Sequence, residues 1–178
     1  EPDFITIAKG LTSAYAPLSG SILSDRVYDA LMQGTDELGP IGHGWTYSAH
    51  PIGAAAGVAN LKLIDAMGLV ENARETGAYF LDWLRTALAD HPHVGEVRGE
   101  GLLAAVEFVE DRDSLRLFEP ARKVGPSLAA AMLREGVIAR AMPQGDILGF
   151  APPLCLTRAE ADIVIDAARK AVTETLGG

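Results

Sequence analysis

Two helical patterns follow one another between Ile52 and Ala89, and the break between them constrains the fold more than any other feature. Ile52 to Met67 is Ala-rich, and its small residues (Gly53, Ala54 to Ala56, Gly57) permit close packing against another element. Asp65-Ala66-Met67-Gly68 interrupts it, and Leu69 to Ala89 follows with an apolar stripe of Leu69, Val70, Ala73, Phe80, Leu81, Leu84 and Leu88. A boundary near residue 66 is predicted, with one part over 1–66 and another over 67–178. The first part reads as a buried strand over Phe4 to Ala8, a second over Gly20 to Ser24, and a short helix over Asp25 to Met32. The second reads as an α+β lobe. Its strands are Val94 to Arg98, Leu102 to Val109, Val137 to Arg140 and Ile147 to Ala151. Its helices run from Lys123 to Arg134, ending at Gly136, and from Arg158 to Leu176, opening on a Thr157/Glu160 capping box. The class is α/β.

Gln33 to Pro51 stands apart, with Gly34, Gly39, Gly42 and Gly44, two prolines and few aliphatic residues. A loop of that length inside a domain is functional or sits at an interface. Its run Trp45-Thr46-Tyr47 is too aromatic for a purely solvated excursion. His43 and His50 flank that run without a cysteine or carboxylate at ligand spacing, so they read as loop anchors and no metal site is expected.

Lys9 ends the apolar run Phe4-Ile5-Thr6-Ile7-Ala8 and is followed at once by Gly10. The other lysines (62, 123 and 170) all fall in helix-like, polar-facing contexts. Desolvation at the end of a buried strand disfavours an ammonium and disposes the amine towards a Schiff base with an aldehyde. The plain alternative is a strand-capping lysine whose stem snorkels to water.

The motif Ile5-Thr6-Ile7-Ala8-Lys9-Gly10-Leu11-Thr12-Ser13, then Pro17-Leu18-Ser19-Gly20, occurs with a second, Gly42-His43-Gly44-Trp45-Thr46-Tyr47-Ser48-Ala49-His50-Pro51. Together they resemble the class III (omega) aminotransferases, of the fold-type-I family that uses pyridoxal 5′-phosphate. The tail, Gly136-Val137-Ile138-Ala139-Arg140 and then Pro152-Pro153-Leu154-Cys155-Leu156-Thr157, is similar to the small domain of the amine:pyruvate branch. The resemblance implies the second half of the large cofactor domain over 1–66 and a complete small α+β domain over 67–178. It also implies that Lys9 carries the cofactor as a Schiff base and that Gly10 frees the backbone for the exit from the strand. Trp45 and Thr46 would bind the cofactor phosphate across a homodimer interface. Arg140 would be the mobile guanidinium that receives a substrate carboxylate.

The implied reaction moves an amino group between an amine or amino acid and a keto acid such as pyruvate. An aminomutase and a decarboxylating transaminase share the same lysine. The family's phosphate-cradling loop, ring-stacking aromatic and ring-nitrogen Asp have no counterpart here, and Asp3 lies too near Lys9 to serve. With Glu1-Pro2 at its start, the sequence is expected to be a fragment or one piece of a split enzyme. The alternative is accordingly a non-catalytic chain that folds and dimerises but needs the missing part for activity.

A net charge of −9 and a pI near 4.8 argue against nucleic acid or an anionic membrane as partner. No apolar run is long enough to span a bilayer. Cys155 reads as a buried structural thiol in a strand-like stretch, which suits a reducing, cytoplasmic compartment.

Overall fold

The computed structural model describes residues 1–177, which separate into two compact units, 1–67 and 68–177. Each is described by itself.

The first unit opens with β1 (Phe4–Ile7), antiparallel to β2 (Gly20–Leu23), with Phe4 opposite Leu23 and Ile7 opposite Gly20. A 3₁₀ turn, Lys9–Thr12, lies between them. Helix α1 (Asp25–Leu38) is capped by Ser24, whose hydroxyl accepts the Val27 N–H, and α2 (Pro51–Ala66) by His50, whose Nδ1 accepts the Ile52 N–H. The β1–β2 pair is a two-stranded sheet with no layer of this unit over its apolar side chains. Phe4 is therefore 62% and Ile5 44% exposed, and the expectation of a buried strand is corrected. Helix α1 also overruns the predicted end at Met32 and takes up six residues of the predicted loop. Gly34 is tolerated inside the helix at a cost of about 1 kcal/mol, and the stop comes at Gly39, where φ is 89°.

The small residues of α2 do what their size allows. A Cβ on Gly53 would meet the Pro17 carbonyl oxygen at 3.0 Å, and one on Gly57 would meet a Leu18 methyl at 3.0 Å. The helix thus lies directly against the segment that follows the Lys9 turn.

The second unit is a four-stranded antiparallel sheet. Its strands are β3 (Val94–Glu100), β4 (Leu103–Phe108), β5 (Arg140–Ala141) and β6 (Asp146–Phe150), in the order β3-β4-β6-β5. Helices α3 (Leu69–Leu88), α4 (Val124–Arg134) and α5 (Arg158–Leu176) pack on it and on one another. Burial alternates along β4 and β6: Ala104, Val106, Phe108, Leu148 and Phe150 are buried, while the residues between them are not. The buried rows meet Phe80, Leu84, Leu128, Met132, Ala168 and Val172 in one core. Of the predicted strand at 137–140 only Arg140 pairs, joined by Ala141, because Gly136 and Val137 close α4: their N–H groups donate to Leu133 and Met132 carbonyls at 3.0 Å. The capping box at Thr157 forms as predicted, each partner bonding the other's backbone. Cys155 is exposed, since Leu154 and Cys155 form a turn after β6 and not a strand; this overturns the buried-thiol expectation. Among the described residues no single helix is long and apolar enough to cross a membrane.

Candidate functional site

Lys9 opens the 3₁₀ turn directly after β1, and its φ of 48° lies in the left-handed region. Gly10, expected to supply the conformational freedom, does not adopt that conformation; the lysine does. Ser13 (φ 52°) and Ala14 (φ 62°) repeat it within the next five residues. For residues other than glycine such a backbone costs about 1–2 kcal/mol each, and it persists only where the surroundings over-determine it. Three backbone bonds (Leu11 N–H to Ala8, Ser13 N–H to Gly10, Ala14 N–H to Lys9) and the buried Thr12 hydroxyl, donating to the Ala16 carbonyl at 2.6 Å, hold the turn. The Lys9 side chain is exposed and makes no ion pair among the described residues, so the desolvated setting expected of it is absent within this unit.

Lys9 lines a cavity of ≈ 850 Å³ together with Thr6, Ser19, Ser21, His43 and Trp45. It is the one amine in that lining, which also includes the aliphatic residues Ile7, Ala8, Leu23, Leu31 and Ile41. This donor set fits an aldehyde-bearing, phosphorylated ring at its aldehyde and polar ends. No carboxylate lines the cavity, so nothing present pairs with a ring nitrogen.

Trp45 and Thr46 sit in a tight turn. The Trp45 N–H donates to the Ser48 hydroxyl and the Ser48 N–H to the Trp45 carbonyl, both at 2.9 Å, and His43 packs edge-on to the Trp45 ring at 4.8 Å. The two histidines anchor this loop, one through the indole and one as the α2 cap. Trp45 and Tyr47 are 75% and 79% exposed in this chain. The Thr46 side chain is exposed and, unlike Trp45, is not in the cavity lining.

Arg140 belongs to the second unit. Strand register places it in one row with Gly149, Ala105 and Arg98 across the open face of the sheet. Three strand spacings separate the two arginines, about 14 Å between their backbones. Gly149 and Ala105 floor the space between them, so a trough of ≈ 770 Å³ forms, walled by Leu103, Ile138, Met142 and Ile147. Arg98 donates to both Glu107 and Glu96 at 2.6 Å, and those carboxylates, Glu107 foremost, hold its guanidinium above the ordinary value. Arg140 differs. Among the described residues it alone of the arginines has no ion pair, hydrogen bond or aromatic partner. An unpaired guanidinium over a bare backbone floor is a ready carboxylate receptor.

Two features were not foreseen. Asn60 donates through Nδ2 to the Gly10 carbonyl at 2.8 Å and the Leu11 carbonyl at 3.2 Å, tying α2 to the lysine turn. Its signal was phase: Asn60 continues the helix face of Gly53 and Gly57. The Arg98–Arg140 row depends on register across four strands, which no local pattern specifies.

These geometries belong to a known family. The sequence model described as aminotransferase class-III matches residues 1–172, and the chain belongs to that family. It is 60% identical over 174 residues to a diaminobutyrate–2-oxoglutarate transaminase of Halomonas elongata, and 37% over 174 residues to a putrescine–pyruvate aminotransferase of Pseudomonas aeruginosa. In each case 98% of this chain and 37% of the relative are covered, so the chain spans well under half the length of these relatives. A solved (S)-enantioselective omega-transaminase from Thermomicrobium roseum superposes with a TM-score of 0.91 at 43% identity, covering 99% of this chain and 38% of that one. The architecture is therefore the corresponding portion of a fold-type-I, pyridoxal-phosphate-dependent transaminase.

Proposed function

We propose that the protein to which this chain belongs transfers an amino group between an amine or amino acid and a keto acid such as pyruvate, with Lys9 at its centre. The observation that carries this reading is the single amine of Lys9, opening a strained turn onto a cavity whose lining combines three hydroxyls, two rings and the aliphatic side chains of Ile7, Leu23, Leu31 and Ile41. In this reading 1–66 is part of the cofactor domain and 67–178 the small domain. Pyridoxal 5′-phosphate, when bound, supplies the aldehyde and an electron-poor ring that stabilises charge at the substrate carbon.

Lys9 would hold the cofactor through Nζ and, when free, would carry a proton between the substrate carbon and the cofactor's aldehyde carbon. Thr46 offers its hydroxyl to phosphate, from the neighbouring subunit of a homodimer, beside Trp45, whose own N–H is spent on Ser48. Arg140 receives the carboxylate of an amino or keto acid with two parallel N–H donors. The relatives' names pair diaminobutyrate with 2-oxoglutarate and putrescine with pyruvate, so both keto acids belong in the assay. The lone Cys155 suits work in a reducing cytoplasm.

A second reading, a non-catalytic chain that folds and dimerises, is favoured by the absence of a carboxylate from the cavity lining. Borohydride reduction with pyridoxal phosphate, followed by peptide mapping, separates the two. A stoichiometric adduct on Lys9 supports the enzyme; scattered or absent labelling supports the second reading. In the complete protein, Lys9→Ala should abolish transamination, and undiminished turnover rejects the assignment. Arg140→Ala should impair keto-acid acceptance more than reaction with a simple aryl-alkyl amine, and equal losses reject the carboxylate role.

A further inference from the structure

The Lys9 turn is held in a conformation that its own residues disfavour, and the contact reaching it from farthest along the chain is Asn60. Left-handed backbone at Lys9, Ser13 and Ala14 is not stable by itself. The carbonyls of Gly10 and Leu11, inside that turn, face α2. There the Asn60 amide bridges both, 50 and 49 residues away in sequence. Asparagine is a poor residue for the middle of a helix, and the face it shares with Gly53 and Gly57 is otherwise kept small so that the two segments touch. A side chain that only filled space there would be aliphatic; one with two N–H donors meets two carbonyls.

The geometry points to Asn60 as a positioning residue for Lys9, an inference that rests on the proposed role of that lysine. The Gly10–Leu11 peptide, one residue past the lysine, carries one of the two bridged carbonyls, so it cannot rotate without breaking the Asn60 bond. The adjoining Lys9–Gly10 peptide is held by the Ala14 N–H on the Lys9 carbonyl, so this bond and the Asn60 bridge together fix the direction in which the lysine side chain leaves the turn. A catalytic group misplaced by about 1 Å can cost on the order of 10²-fold in rate. The same helix begins at Pro51, immediately after the Trp45–Ala49 turn, so one rigid element runs from the Thr46 loop to the Lys9 turn.

The test uses the complete protein, with Asn60→Asp as the near-isosteric variant lacking the N–H donors and Asn60→Ala as a second. Amide hydrogen exchange at Leu11, Ser13 and Ala14 should rise at least tenfold in both variants, while exchange within α1 stays at the parent level. Turnover should fall at least tenfold in kcat, with KM changed less than twofold. In Asn60→Asp alone, the turn should regain protection as the pH falls and the carboxyl recovers an O–H donor. Parent-like exchange at the turn, with Lys9 still labelled by pyridoxal phosphate and borohydride, overturns the clamp and leaves the proposed function standing. Exchange raised equally throughout residues 1–67 also overturns it, as general loosening. An unlabelled Lys9 in the parent protein removes the proposed function and the positioning role with it.

Discussion

Asn60 and Asn72 make the same kind of bond in two very different settings. Asn72 donates to the Leu154 and Leu156 carbonyls at 2.7 and 3.0 Å, and its Oδ1 accepts the Thr76 hydroxyl at 2.9 Å. It works within the unit that holds every buried apolar side chain among the described residues, from Phe80 to Val172. Asn60 bridges two carbonyls in a unit whose buried residues are Thr12, Gly53 and Gly57. One asparagine pins a loop to an established core, and the other is a main restraint on a strained turn. Residues 68–177 draw their order from apolar burial, with polar bonds setting detail. Residues 1–67 depend on caps, turn bonds and glycine-close packing, and leave Phe4, Ile5 and Ile22 in solvent.

The sharpest way to break this contrast is to cut one phenylalanine from each unit. Phe108→Ala removes a fully buried ring and should cost about 3–5 kcal/mol in urea unfolding of residues 68–177. Phe4→Ala, at a 62% exposed position, should change the stability of this chain by no more than about 0.5 kcal/mol. Equal losses would mean that β1 is covered and that the contrast is false.

Helix caps give a smaller comparison. Thr157→Ala breaks the capping box of α5 and should cost about 1 kcal/mol. Ser24→Ala loses a 3.4 Å contact at the start of α1 and should cost about 0.5 kcal/mol. Hydrogen exchange in the first turn of each helix measures both, and a reversed order would show that α1 relies more on its cap than the geometry implies.

The smallest expected effect is in acid. Arg26 and then Ser24 hold the Asp3 carboxyl below its ordinary value of 3.8. The unfolded chain therefore binds this proton first, and the stabilisation is present above pH 3.8 and lost as pH falls through the folded value. Acid titration followed by exchange at α1 should show a step below that pH in the parent chain and none in Asp3→Asn. Glu160, lowered by its bonds to Thr157, should give the matching step in α5, with Glu160→Gln as its control. A step that survives Asp3→Asn would assign the acid sensitivity of α1 to another group.

Local chemistry was legible wherever the residues that decide it are neighbours. The bounds of α5, its capping box and the glycine stop of α4 follow from a few adjacent residues and a 3.6-residue period. The close approach along α2 was legible as well, because Gly53 and Gly57 have no side chain to prevent it. The end of α1 was not, since Gly34 reads as the start of a loop although a single interior glycine costs a helix only about 1 kcal/mol, and the stop lies at Gly39. Cys155 misled because the apolar letters around it suit a strand, while consecutive prolines at 152 and 153 deny it the N–H groups that a ladder needs.

By itself, the sequence determined the helices and most strands, the family, and the identity of Lys9, Thr46 and Arg140 as the residues to examine, because these are written in period, capping and motif. Only the tertiary structure decided that Lys9, and not Gly10, takes the left-handed backbone, that Asn60 reaches the turn it opens, and that Arg140 stands unpaired at one end of a trough whose other arginine is occupied. Strain of that kind and a row across four strands exist only when segments up to 50 residues apart are brought together, and the energy that maintains them lies in contacts between those segments, not within any one of them.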